Sequence, residues 1–175
     1  MKRAGSPVLT GGGRLLTPAA SSATRLGVDA AILLAPGADA NGLAVMLADL
    51  LRQNLEAKPH KRADFDAMVG SVAIVAEDAE VALTLRFSGG KLTIFDGIVG
   101  IPDVAVRASS DAIINMSNVP LTSSGLPIPR WSDKAGIAVM KDVARTMRSG
   151  EMKVHGGAFH PGFMMRLTRV MSVNG

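Results

Sequence analysis

At Ser71 the spacing of apolar residues changes from three-and-four to two, and this change of period limits the fold more than any other feature of the chain. Val72, Ile74 and Ala76 alternate with Ala73, Val75 and Glu77. Val81, Leu83, Leu85 and Phe87 alternate with Ala82, Thr84 and Arg86. Successive side chains of a strand point to opposite faces, so each of these runs buries one face and shows water the other. Ser88-Gly89-Gly90 turns the chain, and Leu92 and Ile94 continue the alternation, which predicts a three-stranded antiparallel meander. Val104 with Val106, and Met152 with Val154, predict two further strands.

Helical spacing surrounds these strands. Asn41 stands where an N-cap belongs, and Leu43, Met46, Leu47, Leu50, Leu51 and Leu55 follow at helical spacing until Pro59. Phe65, Met68 and Val69 form a short apolar patch before the sheet. Asp111 is the expected cap of a short helix carrying Ile113, Ile114 and Met116. Ser132 is the expected cap of the next helix, with Ile137, Met140, Ala144 and Met147 on one stripe and Lys141, Arg145 and Arg148 on the opposite one; Gly150 stops it. Pro161 suits a first helical position, and Phe163, Met164, Leu167, Val170 and Met171 share one face of the last helix. The order predicts an α+β fold, a five-stranded, mostly antiparallel sheet with helices covering one face. Residues 1–40 read as a flexible N-terminal tail and 41–175 as the folded domain. The tail lacks acids before Asp29 and carries spaced Arg, as transit peptides do, but Gly11-Gly12-Gly13 breaks any amphipathic helix there.

Composition narrows the chemistry. With no Cys, thiol nucleophiles and thiolate metal sites are excluded. No apolar run approaches ~18 residues, so a soluble, cytoplasmic protein is expected. Lys2, Arg3, Arg14 and Arg25 account for the whole net charge of +4, and only 3% of residues are aromatic, which argues against a nucleic-acid partner. His155 and His160 are separated by Gly156 and Gly157 and lack helical metal-pair spacing. Glu77, Asp78 and Glu80 read as a solvated turn, and Ser123-Ser124-Gly125 lacks the nucleophile-elbow frame. No catalytic residue, metal ligand or cofactor is expected. What remains is apolar surface, which either closes a core or lines a pocket; periodicity does not separate the two. Ten Met favour soft, adaptable packing.

Gly150-Glu151-Met152-Lys153-Val154-His155-Gly156, followed by an apolar helix, resembles the G-K-L-K-I-T-G strand-turn-helix ending of the sterol carrier protein 2 family. Ala79–Phe87 with Gly89-Gly90-Lys91-Leu92-Thr93-Ile94 is similar to that family's paired strands. Asp103–Asp111 resembles its strand leading into a capped helix, and the likeness spans about residues 40–173. The resemblance implies an apolar tunnel between sheet and helices for a fatty acyl chain, sterol or isoprenoid. Its wall would include Leu83, Leu85, Phe87, Ile94 and Val106 on strands. Ile113, Met116, Met140 and Met147 would join it from middle helices, and Phe163, Met164, Leu167 and Met171 from the last. It implies non-catalytic lipid binding and transfer. The alternative is an accessory, scaffold or dimerisation module that presents an apolar intermediate to a partner enzyme. The segment 117–134, with Trp131 among prolines, departs from the family as a longer connection, a lid or a partner surface. Residues 130–175 hold eight basic and three acidic residues, so weak contact of Lys141, Arg145 and Arg148 with an anionic membrane is a further expectation.

Overall fold

Asn41 opens the first helix as its place ahead of the apolar run requires. Its Oδ1 accepts hydrogen bonds from the backbone N–H groups of Leu43 (3.1 Å) and Ala44 (3.2 Å), and α1 spans Gly42–Ala57. The computed structural model describes residues 32–118 and 134–173, without the side chains of Ala135, Gly136, Val139, Met140 and Val143. The expected cap at Ser132, Trp131 and most of the 117–134 connection lie outside the described residues. α1 buries Ala44, Leu47, Ala48, Leu51 and Leu55, one face of the predicted stripe. A second helix, α2 (His60–Asp66), follows directly and buries Phe65. Its seven residues are too few to show a period, so the sequence presents only the Phe65–Val69 patch.

Six strands form one sheet: β1 (Ile32–Leu34), β2 (Val69–Ala76), β3 (Val81–Ser88), β4 (Leu92–Asp96), β5 (Val104–Ala108) and β6 (Lys153–His155), in the order β1-β4-β3-β2-β5-β6. The meander of β2, β3 and β4 is antiparallel as expected, and β6 pairs antiparallel with β5. Two expectations are corrected. The sheet is mixed rather than mostly antiparallel, because β5 runs parallel to β2 and β1 parallel to β4. It has six strands rather than five, because Ile32–Leu34, placed within the tail by sequence, pairs with Leu92–Ile94.

The physical reason for the parallel pairing lies in residues 97–103. After Asp96 the chain does not turn back beside β4. The Gly97 N–H donates to Ala82 O (2.9 Å), and the Asp103 N–H donates to Ser71 O (3.1 Å). Between these points the fully buried Thr84 holds the segment to the sheet. Its hydroxyl donates to Gly97 O (2.9 Å) and accepts from the Val99 N–H (3.0 Å). The segment therefore crosses the outer face and delivers β5 to the far side of β2. Thr84→Val keeps the shape and removes both hydrogen bonds, so unfolding free energy should fall by about 2 kcal/mol. A urea melt showing an unchanged midpoint would mean the crossing is not held by this hydroxyl.

The inner face carries the core. Val72, Leu83, Leu85, Phe87, Ile94 and Val104 are buried there in one cluster with the α1 leucines. Three more helices complete the fold: α3 (Ser110–Met116), α4 (Lys134–Ser149) and α5 (Pro161–Met171). α3 is capped by Ser109, whose Oγ accepts from the Ala112 N–H at 3.3 Å, and not by Asp111, which sits inside the first turn. The acidic turn is also more than solvated: Asp78 Oδ1 accepts from Ser110 N–H (2.7 Å) and Ser110 Oγ (2.9 Å), so it tethers α3. Those bonds, the backbone one first, hold the Asp78 carboxyl below its ordinary pKa.

α5 packs on α1 and α2, which also satisfy its last carbonyls. Asn54 Nδ2 donates to Val170 O (3.0 Å) and Met171 O (2.9 Å). Lys58 Nζ and Lys61 Nζ donate to the carbonyls of Val173 and Ser172. The Val173 N–H in turn donates to Ser117 O at 2.7 Å, joining the ends of α5 and α3.

Candidate functional site

Of the side chains expected to line a tunnel, eight are buried, a second group of three is partly covered, Met147 is exposed, and Met140 lies outside the described side chains. Leu83, Leu85, Phe87, Ile94, Val106, Ile113, Leu167 and Met171 are buried in the common core. The described residues do not show the expected tunnel. α1, with Leu47 and Leu51 fully buried, lies over the sheet together with α2 and α5. The second group is only half covered. Met116 on α3, and Phe163 and Met164 on α5, pack against the core without being fully covered, as does Val154 on β6, which was not among the expected wall residues.

Local geometry places Val154, Phe163 and Met164 at one margin of the core, the β6 side of the inner face. Val154 lies opposite Val106, so it continues the inward-facing row of β5 at the sheet edge. The turn after β6 lies close under α5: a Cβ added at Gly157 would stand 3.0 Å from Val154 Cγ1 and 3.7 Å from Met164 Cγ. Gly156 makes that turn possible. Its φ is +80°, and a Cβ there would lie 2.1 Å from Asp103 O, which only glycine avoids. Phe163 reaches inward and meets Phe87 edge-to-face, with centroids 5.7 Å apart. The result is an apolar step at the edge of the core, with water on one side. Val154 was readable as an inward strand residue, but its place at the margin needed the β5–β6 register.

α4 departs from expectation. Its apolar stripe was to face the sheet, yet Met147 is 51% exposed and Ala144 is exposed; Ile137 is half-buried. Met147 therefore does not line the core, and the side chain of Met140 lies outside the described residues. α4 meets α3 rather than lying across the strands. Lys141, Arg145 and Arg148 are exposed, and Arg145 pairs with Asp142 at 3.0 Å. Between α3 and α4 lies a cleft of about 260 Å³ lined chiefly by polar groups, including Asp111, Asn115, Asp142, Thr146 and Glu151. An apolar guest gains little there.

His155 and His160 are both exposed, on the outer face of β6 and just ahead of α5. Among the described residues no group of three or more His, Cys, Asp or Glu is placed to hold a metal ion. Asp103 is the best-connected polar group nearby. Its Oδ2 accepts from the Ser71 N–H (2.7 Å) and Ser71 Oγ (3.0 Å), and the backbone bond first among several causes lowers its pKa. These bonds fix the loop before β5.

No protein-family model and no curated protein matches the chain. Solved structures similar to it include a ubiquinone synthesis protein described as UbiJ-SCP2, at 15% identity and a TM-score of 0.48, over 73% of this chain and 90% of that one. A sterol carrier protein 2 matches at 12% identity and a TM-score of 0.43, over 72% of this chain and 91% of its own. A stereoselective inverting sec-alkylsulfatase from Pseudomonas sp. matches at 17% identity and a TM-score of 0.42, over 73% of this chain but only 17% of that larger one. Structures named for sterol carrier protein 2, the family that the strand-turn-helix ending resembles, are among these neighbours, each at a TM-score below 0.5.

Proposed function

We propose that the chain binds an apolar lipid, of the fatty acyl, sterol or isoprenoid class, and passes it on without catalysing a reaction. The observation that carries this reading is the half-buried apolar margin of Val154, Phe163 and Met164, continuous with the core. Met164 has an unbranched side chain, which repacks around guests of different shape. An acyl chain laid on this margin gains about 0.8 kcal/mol for each methylene removed from water. Ten methylenes supply roughly 8 kcal/mol before ordering costs are met. No charged anchor is needed for that affinity, and broad selectivity follows.

A fluorescent fatty acid should bind saturably at micromolar concentration. Met164→Trp fills the margin and should weaken that binding about tenfold or more while leaving the thermal transition in place. Saturable binding that is the same in the variant would remove the site from this margin. A second reading, an accessory role in which the lipid is offered to a partner enzyme, is favoured by the exposed Ala144 and Met147 on α4. It differs from free transfer in one measurable way: Met147→Glu would disturb the partner's turnover and leave fatty-acid affinity unchanged.

A further inference from the structure

One end of the sheet carries three large apolar side chains left exposed among the described residues. Ile101 is 97% exposed, Phe159 86% and Val69, at the start of β2, 74%. Single exposed apolar residues are ordinary, but three at one end of a sheet are not. Asp103 ties the three together. Its carboxylate holds Ser71, two residues from Val69; its carbonyl lies against Gly156, three residues from Phe159; and Ile101 precedes it by two. Each is therefore separated from Asp103, or from a residue touching it, by no more than three residues, about 10 Å of chain.

Two exposed cations border this end. Arg86 is exposed over Phe95, and its Nη2 lies 3.6 Å from where a Cβ of Gly100 would be, beside Ile101. Lys91 is exposed on the turn between β3 and β4, and His155 and His160 flank the Phe159 loop. Asp66 pairs with Arg62 at 2.8 Å, while Asp103, exposed and hydrogen-bonded by Ser71, keeps its negative charge. The Phe159 loop is also the one whose Gly157 rests on Val154 and Met164. An exposed apolar tip thus joins directly to the apolar margin.

We propose that this end of the sheet docks on an anionic lipid bilayer. Val69, Ile101 and Phe159 enter the boundary between headgroups and acyl chains, while Arg86 and Lys91 face the phosphates. The inference rests on the lipid-binding reading and adds the surface through which lipid is exchanged; it replaces α4 as the membrane contact. The occupant is a bilayer rather than a protein because the apolar side chains are small and separate, because Arg86 and Lys91 border them, and because they lead to the proposed lipid site.

The full chain should co-sediment with vesicles made of equal parts phosphatidylcholine and phosphatidylserine, less so with phosphatidylcholine alone, and less as salt rises. The double variant Ile101→Glu, Phe159→Glu should lose at least about tenfold in vesicle affinity, since each side chain is a full apolar anchor. Both positions are exposed, so the fold tolerates the change, and the variant should bind the fluorescent fatty acid in solution as the parent does. Lys141→Glu, Arg145→Glu, Arg148→Glu should keep vesicle binding. Equal sedimentation of parent and double variant, or none by the parent, overturns the proposal. So does a parent that self-associates through these residues and ignores vesicles. If vesicles bind through Ile101 and Phe159 but no fatty acid binds, docking stands and the lipid site falls.

Discussion

Phe87→Ala is expected to lower the unfolding free energy by about 3–5 kcal/mol, the largest loss from any single side chain described. Phe87 is buried between Phe65 on α2 and Phe163 on α5, with ring centroids 6.1 Å and 5.7 Å away, both edge-to-face. Truncation would leave a ring-sized void lined by two rings that lose their edge contacts as well. It would also release the anchor of α5's first turn. A chemical melt monitored by circular dichroism reads the effect directly. Phe163→Ala should cost less, because that ring is already half-solvated, yet it should weaken lipid binding more. A loss under about 1 kcal/mol at Phe87 would show that the ring faces an open, hydrated space, and the tunnel expected from sequence would be reinstated there.

Stability should also rise with pH between about 8 and 10.5, and Lys61 is the cause. It is 1% exposed, and burial first, with the like charge of Lys58 second, lowers its pKa from 10.5 to about 8. In that window the unfolded chain holds a proton on Lys61 that the folded chain has released, so raising the pH favours folding. The gain is complete above 10.5 and is lost as pH falls through 8, leaving the charge buried at neutral pH. At about 1.4 kcal/mol per unit the change is at most about 3.5 kcal/mol. The chain has no Tyr and no Cys, so the other groups of this range are its remaining lysines and the α-amino group. Lys61→Met should flatten the profile whatever it does to absolute stability; an equal slope in both proteins would assign the effect elsewhere.

The meander was legible because Val81, Leu83, Leu85 and Phe87 alternate without a break and Ser88-Gly89-Gly90 marks the turn. α1 and α5 were legible for the same reason, with Asn41 and Pro161 at their starts. β1 was not, since three residues pair in parallel only after folding brings Leu92–Ile94 alongside. The parallel pairing of β5 depends on Thr84, whose hydroxyl is one of many in the sequence until the crossing lies over it. The α4 stripe has helical spacing, but spacing cannot say whether a helix reaches the sheet, and Met147 stays half in water. Of the thirteen proposed wall residues, eight went to the core, because leucines on α1 fill the space a guest would need. Phe163, Met164 and Met116 kept a partly open position, which no periodicity could have distinguished from burial.

The clasp on α5 also fixes an order in time. Asn54, Lys58 and Lys61 find their partners at residues 170–173, more than a hundred residues later. At about 5–20 residues per second, those side chains leave the ribosome's active site roughly 6 to 20 s before the carbonyls they hold exist. Through that interval the inner face of β3 lacks Leu167, Val170 and Met171, and the buried lysine remains hydrated. α5, made after the helices it covers, therefore dehydrates them late in the synthesis of this segment.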